Sequence, residues 1–399
     1  HMRFKHSDLQ PIESYIEKHG AIEGLRRALE ELLKIDYKVA IEATRKMLNL
    51  LPPNMDLRVK NLIELGKKLA LHRSLLRRDF AGRVYHKITG DIAFRKGVAT
   101  FYTAVPSAYF LATLATQSLL DLDTKDVSKL SEKEASSLLE RIKSLKIGDL
   151  ACGSGTLLTA SYNALMRLAM KPRCYYSLDV DLDDIGKTLI EEGVYGIDVL
   201  KYASQITAIN LALVSWGTIT REKVFTANFG SSSKKREALL GSLELLKKVE
   251  EEDKKAEGLL KYLQDEPKKV SLEGVDGRFS VPRYFDLIIM NPPFPRATGR
   301  KEKFGKKRGF FGFITDKSAR EKVLQAYEKV TDDVREGLMK VARESRDVLP
   351  DTAREIIDGK KGLGQYLSIG QAGEGIPFLY LAYKYVKPGG VIAFLLPKN

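Results

Sequence analysis

Residues 149–156 place one acid and two glycines between a predicted strand and a predicted apolar helix at residues 157–170. Gly153 and Gly155 let the backbone approach a ligand and adopt positive φ, and the N-terminus of the following helix attracts a negative group such as a carboxylate. Asp149, at the strand end, can bind an ammonium group. These features predict a cradle for the amino-acid end of an adenosine cofactor, although a tight strand-to-helix turn needs glycine even without a ligand.

A second acid ends the next predicted strand. The run 194–199 contains Asp198, which can accept hydrogen bonds from both ribose hydroxyls at an open α/β nucleotide site. The structural alternative is an ordinary turn aspartate at a strand end. Leu158 occupies the third glycine position of the G-x-G-x-x-G dinucleotide pattern, which disfavours a nicotinamide cofactor.

The run 285–294 is an apolar predicted strand followed by Asn-Pro-Pro-Phe. Its two prolines rigidify the loop and remove backbone donors. The side-chain oxygen of Asn291 and the carbonyl of Pro292 can each accept a hydrogen from an amino group, and Phe294 offers a stacking surface for a flat ring. Because the lone pair of an aryl amine is delocalised, two fixed acceptors would aim it for an in-line methyl transfer that needs no metal. A rigid turn without a ligand is the alternative.

Aromatic residues precede the glycine segment. Phe101 and Tyr102 are candidates for the wall of a cofactor pocket, with core packing as the alternative. Thr103 is predicted to N-cap a helix whose apolar part covers residues 109–120, and Pro106 suits its first turn.

The segment that follows Asn-Pro-Pro-Phe is rich in basic and aromatic residues. We predict that it contacts DNA phosphates near an extruded base, with a merely solvated loop as the alternative. The candidate DNA-binding residues are Arg296, Arg300, Lys301, Lys306, Lys307 and Arg308.

Short β-rich runs alternate with helical stretches after about residue 81, which predicts a parallel sheet covered by helices. The predicted strands are residues 146–150, 194–199, 223–226, 285–290 and 390–396. Lys/Glu-rich residues 231–270 and 319–349 are interpreted as solvated helical insertions. Apolar residues three and four apart predict N-terminal helices over residues 7–80, interrupted at 51–54.

The fold prediction is therefore α/β, with a doubly wound Rossmann-like sheet and an N-terminal helical domain. The helical domain is assigned to residues 1–80 and the catalytic domain to 81–399, with insertions at about 231–282 and 296–375.

Composition limits the function classes. The chain has 399 residues, 44% of them hydrophobic, and a formal net charge of +14. Such a charge attracts a polyanion without proving that one binds. The two cysteines form no metal-ligand pattern, and no apolar run is long enough to span a membrane. We expect a cytoplasmic protein with no metal and no membrane partner.

In this order, the segments 79–85, 101–103, 149–155 and 291–294 together resemble the N6-adenine DNA methyltransferases of restriction-modification systems, especially type I modification subunits and fused type IIG enzymes. The resemblance covers about residues 76–230 and 284–399. It implies S-adenosylmethionine as the cofactor, S-adenosylhomocysteine as the product and duplex DNA as the partner. The implied cofactor residues are Phe101, Tyr102, Thr103, Asp149, Ala151, Cys152, Gly153, Gly155, Asp198 and Asn228, and Asn291, Pro292 and Phe294 would bind and activate a flipped adenine.

The sequence departs from the family pattern at three positions. Ala104 and Leu150 stand where the family has proline, and Asn228 stands where an acid normally contacts the cofactor's adenine; its side-chain oxygen can still accept that hydrogen bond. The last sheet strands and a target-recognition domain are not found in the sequence, so a specificity subunit or a further domain is expected. RNA or protein-glutamine methylation and a non-catalytic DNA-binding scaffold remain alternatives.

Overall fold

The computed structural model describes residues 10–34, 38–72, 103–122, 126–215, 221–231, 238–249, 269–293, 301–302, 305–306, 314, 316–348, 351, 354–355 and 375–396. The described N-terminal residues form helices α1 (Ile12–His19), α2 (Ala21–Leu33), α3 (Lys38–Leu48) and α4 (Asp56–Ala70). A 3₁₀ turn, Pro53–Met55, lies next to the predicted interruption. Ala21, Val59 and Ile63 form a small apolar cluster among these helices.

A five-stranded parallel sheet forms the centre of the α/β fold. Its strands are β1 (Ile147–Asp149), β2 (Val194–Asp198) and β3 (Lys223–Thr226), joined later in the chain by β8 (Phe285–Met290) and β11 (Val386–Phe394). The spatial order is β11-β8-β1-β2-β3, which is 3-2-1-4-5 when only these five strands are numbered along the chain. This is the order of a Rossmann-like sheet. The last strand begins earlier than the predicted 390–396, because residues 386–390 extend it across an irregular register with β8.

Helices cover both faces of the sheet. One face packs against α5 (Val105–Leu119), α6 (Glu132–Ser144), α7 (Thr156–Tyr176), α8 (Leu182–Thr188) and α9 (Lys201–Val214). The other packs against α10 (Lys317–Glu344), α11 (Gly375–Tyr385) and helical residues 244–249. In β8 the side chains of Leu287 and Ile289 enter the first core while Ile288 and Met290 enter the second, as the period of two in a strand requires. No helix within the described ranges is long and apolar enough to cross a membrane.

The prediction of a solvated helical insertion over 231–270 holds only in part for its described residues: 244–249 are helical, but they pack into the second core, and strands are also present. Two antiparallel hairpins form, β4 (Phe229–Ser231) with β5 (Ala238–Leu240), and β6 (Lys269–Gly274) with β7 (Gly277–Pro282). Residues 238–249 also contribute buried side chains, including Leu240 and Leu246, to the second core. The second hairpin turns at Val275 and Asp276, and Gly277 begins the return strand with φ +116°; an Asp-Gly pair is a sequence signal for a hairpin.

The second predicted insertion, 319–349, is helical as α10, but it is not merely solvated. Val323, Tyr327, Val330 and Val334 lie on one face of α10 and are buried in the second core. Their spacing of three and four residues is that of an amphipathic helix.

Candidate functional site

A cleft lies where β1 and β8 end at the carboxyl edge of the sheet. The chain continues from β1 to β2 and β3 on one side, while β8 and β11 lie on the other, so this is the point at which the strand order reverses. Open α/β sheets bind ligands at such a point. The cleft has a volume of about 280 Å³ including its open mouth, and is lined by Thr103, Asp149, Ala151, Cys152, Gly153, Ser154, Thr156, Leu157 and Asn291. Residues from three distant predicted motifs therefore meet here.

The glycine loop needs both of its glycines, for different reasons. Gly153 has φ +54° and Gly155 has φ +77°, in the left-handed region that L-residues rarely adopt. A Cβ on Gly153 would meet no atom within 4 Å, so this glycine leaves open space for a ligand. A Cβ on Gly155 would lie 2.7 Å from Cγ2 of Thr207, so this glycine permits close packing of the loop on α9.

Two buried polar residues of α9, neither of them predicted from the sequence as a site residue, hold the loop. Oγ1 of Thr207 donates to the carbonyl of Gly153 at 2.9 Å, and Nδ2 of Asn210 donates to the carbonyl of Ser154 at 2.9 Å. These bonds fix the loop against α9 and lead it into the N-terminus of α7, whose partial positive charge attracts a negative group. The available signal was a pair of polar residues three apart in the second half of the helix, residues 206–214, which is otherwise apolar.

Substitution of Gly155 by alanine is expected to destabilise the protein by roughly 2–4 kcal/mol, since it combines backbone strain with a clash against Thr207. Gly66→Ala is the matched control, because Gly66 lies within α4 and a Cβ there meets no atom within 4 Å. That variant should gain about 0.5–1 kcal/mol from helix propensity. Urea denaturation compares the two, and equal stability of the variants would contradict the close packing of Gly155.

Asp149 is the acid deepest in the cleft, with only 2% of its surface exposed. Burial raises the pKa of its carboxyl to about 8; the N–H of Ala151 partly opposes this shift and the nearby charge of Asp198 adds to it. The backbone N–H of Ala151 donates to Oδ1 at 3.1 Å. Asp149 is therefore mostly uncharged at neutral pH without a ligand, and a bound cation would restore its charge.

Asp198 and Asn228, predicted to hold the adenosine end of a cofactor, do not line this cleft. The carboxylate of Asp198 accepts the N–H of Gly153 on Oδ2 and that of Leu200 on Oδ1, each at 2.8 Å. Desolvation raises the pKa of Asp198, and these N–H groups oppose that shift. Asn228 follows β3, where its backbone joins the two insertion hairpins by bonding to Glu273 and Gly241.

The side chain of Asn291 extends from the end of β8 to the other side of the cleft. Its Nδ2 donates to Oγ1 of Thr103 at 2.9 Å, across 188 positions of sequence. The prediction that Thr103 is the N-cap of α5 is wrong, because Ala104 holds that position. Pro106 lies in the first turn, as predicted. Pro292 is buried beside Asn291 and does not line the cleft.

Several predicted site residues lie outside the described residues, namely Phe101, Tyr102, Phe294, Arg296, Arg300, Lys307 and Arg308. The backbones of Lys301 and Lys306 pair in a short antiparallel hairpin of β9 (Lys301–Glu302) and β10 (Gly305–Lys306). In the part of the chain that the structure describes, no three His, Cys, Asp or Glu side chains cluster closely enough to hold a metal ion.

Comparison of the sequence with protein-family models and with curated proteins finds no match. The chemistry of the site therefore has to be inferred from its geometry. A buried carboxyl, a loop that leads into a helix N-terminus and open space over Gly153 suit a ligand that carries both an ammonium and a carboxylate. On the opposite side, the amide of Asn291 suits a hydrogen-bonding group such as an amine.

Proposed function

We propose that this protein transfers a methyl group from S-adenosylmethionine to the exocyclic N6 amino group of adenine in DNA. The observation that carries the proposal is the meeting of Asp149, the glycine loop and Asn291 in one cleft at the switch point of the sheet. Asp149 and the glycine loop are the features that would bind the cofactor. The amide of Asn291, which lies opposite them, would bind the group that accepts the methyl. The proposed family is the N6-adenine DNA methyltransferases of restriction-modification systems.

The residues present fit the amino-acid end of S-adenosylmethionine. The ammonium group would ionise Asp149, and the carboxylate would receive N–H groups from the start of α7. The open space over Gly153 allows the ligand to lie against the backbone. When bound, the cofactor supplies a methyl group on a positively charged sulfur.

The acceptor side of the cleft would position the amine. Oδ1 of Asn291, which lines the cleft, would accept one N–H of the amino group and so help to turn the nitrogen lone pair toward the methyl carbon. The carbonyl of Pro292, proposed from the sequence as the second acceptor, does not line the cleft in this structure. Transfer would join the methyl carbon to the amino nitrogen and leave the electron pair of the broken sulfur–carbon bond on the cofactor's sulfur. The methylated nitrogen then releases its proton to solvent. Asn291 positions the nucleophile, and an amide of this kind does not take the proton.

The adenosine end would extend from the cleft toward the carboxyl ends of β2 and β3. A carboxylate has about four lone-pair positions, and Asp198 uses three of them for the N–H groups of Gly153, Leu200 and Val199. The remaining position can accept a ribose hydroxyl, so Asp198 would both hold the loop and bind the sugar. Asn228, at the end of β3, is the proposed contact for the adenine.

DNA is preferred over other acceptors on the basis of the sequence. Residues 101–103 precede the glycine loop in the order that is typical of DNA enzymes, and residues 296–308 carry many positive charges directly after the acceptor motif. A specificity subunit or a target-recognition domain would supply the recognised DNA sequence.

The test is methyl transfer from S-adenosylmethionine carrying a tritiated methyl group to three acceptors: mixed-sequence duplex DNA, RNA of the same sequence and a glutamine-containing peptide. The proposal predicts label in DNA, and digestion to nucleosides should place it on N6-methyladenine. If label appeared only in RNA or only in the peptide, that acceptor would be the substrate and the proposal of DNA would be wrong. DNA binding without cofactor binding would favour a non-catalytic scaffold.

A further inference from the structure

A hydrogen bond joins Thr103, just before α5, to Asn291, just after β8, and neither residue belongs to the glycine loop. Nδ2 of Asn291 donates to Oγ1 of Thr103, and both residues line the cleft. Thr103 immediately precedes Ala104, the N-cap of α5, whose carbonyl accepts the N–H of Ala108 at 3.0 Å. Helix α5 packs against β8 and β11. Thr103 is thus tied to the same sheet that carries Asn291.

In the structure this bond occupies the Nδ2 end of the amide and leaves the Oδ1 end for the other side of the cleft. An asparagine presents an oxygen acceptor at one end and two N–H donors at the other, and a rotation of 180° exchanges them. With Nδ2 held by Thr103, Oδ1 lies on the side away from Thr103. The reversed amide would direct N–H groups toward an amino group, which would repel its hydrogens.

We propose that Thr103 is a positioning residue that holds the side chain of Asn291 across the cleft with Oδ1 available to an amino group of the substrate. The inference rests on the proposed function and deepens it. It also differs from the role implied by family resemblance, in which Thr103 borders the cofactor.

A hydroxyl is needed for this role, because threonine Oγ1 can accept from an amide N–H and a methyl group cannot. Thr103→Val keeps the shape of the side chain and removes the acceptor. Thr103→Ser keeps the hydroxyl. Asn291→Asp presents oxygen at both ends of the side chain, so its function should depend less on which end faces Thr103.

The test measures single-turnover methylation of adenine-containing duplex DNA and, separately, the affinity for S-adenosylhomocysteine. For Thr103→Val we expect a fall in the methylation rate of roughly 10-fold or more, with cofactor affinity within about threefold of the wild type, and for Thr103→Ser a rate within about threefold. In the Asn291→Asp background the same valine substitution should lower the rate less, a coupling that a double-mutant cycle reports.

Two results would overturn the inference. The first is a loss of cofactor affinity in Thr103→Val with an unchanged single-turnover methylation rate at saturating cofactor, which would make Thr103 a cofactor contact. The second is an equal loss of rate in the Asn291 and Asn291→Asp backgrounds, which would indicate a general structural effect.

Failure of the proposed function is distinguished by an independent readout. If the wild type methylates no acceptor, the catalytic part of the role proposed for Thr103 is overturned with it. The hydrogen bond is then tested by NMR on protein labelled with ¹⁵N-asparagine, with the Asn291 side-chain signals assigned by their loss in Asn291→Leu. Slow solvent exchange of these amide protons that becomes fast in Thr103→Val supports the positioning role, and fast exchange in both proteins overturns it.

Discussion

Asp149→Asn is expected to lower the affinity for S-adenosylhomocysteine by roughly 100-fold or more, because it removes the buried charge proposed to bind the ligand's ammonium group. The same substitution should raise the thermal stability of the ligand-free protein at pH 8. Opposite effects on binding and stability are expected where a buried ionisable group is retained for function.

The sign of the stability change follows from the pKa. Burial holds the pKa of Asp149 at about 8 in the folded protein, whereas an aspartate in an unfolded chain titrates near about 4. The folded state therefore binds the proton more tightly, and stability present below about pH 4 is lost as the pH rises toward 8. Asparagine is neutral at every pH and avoids this loss, so the variant should gain roughly 2–4 kcal/mol at pH 8 and little at pH 4.

Ligand affinity should also depend on pH in the wild type. Below about pH 8 the carboxyl of Asp149 must lose its proton before it can pair with a cation. Affinity is therefore expected to rise from pH 6 to pH 8, approaching about tenfold per unit at the acid end. Titration calorimetry at pH 7 in buffers of different ionisation enthalpy should detect release of close to one proton.

Asp183→Asn is the matched control, because Asp183 is exposed in the first turn of α8. It should change neither binding nor its pH dependence. If Asp149→Asn bound S-adenosylhomocysteine as tightly as the wild type, or if binding released no proton, Asp149 would not be the ammonium site.

Asn291→Leu is expected to reduce methyl transfer by roughly 10²- to 10³-fold, while cofactor affinity changes only a few-fold. Leucine has a similar volume but cannot accept a hydrogen bond from the amino group, and it also breaks the bond to Thr103. The comparison requires single-turnover rates with saturating cofactor, together with an independent binding titration.

Asn291→Asp is the control for the acceptor chemistry, since its side chain still offers oxygen to the amino group. We expect it to retain measurable transfer. A Leu variant as active as the wild type would exclude Asn291 from the reaction. A Leu variant that has also lost cofactor binding would show that Asn291 supports the cleft rather than the acceptor.

The residues at strand ends were predictable from sequence, because an acid or amide directly after a short apolar run marks the end of a buried strand. Asp149 and Asn291 are examples: their strands, β1 and β8, were found within one residue, and parallel strands bring their carboxyl ends to one edge. The glycine turn was predictable for the same reason, since Gly153 and Gly155 both adopt positive φ.

Features that depend on tertiary contacts were not predictable. Thr103 looked like a helix cap from its local sequence, but its hydroxyl bonds to a residue 188 positions away. Thr207 and Asn210 showed only a weak periodic signal until the loop was placed against α9. In the insertion, the spacing of Lys and Glu favoured helix, while burial of Leu240 and Val270 in the second core favoured strands.

A crystal structure of the protein saturated with S-adenosylhomocysteine would test the proposed cofactor site directly. We expect the ligand to occupy the cleft between β1 and β8, with its ammonium within hydrogen-bond distance of Asp149 and its carboxylate at the start of α7. Its sulfur should face the side of the cleft that carries Asn291. Ligand bound elsewhere on the protein, with this cleft empty at saturation, would contradict the account.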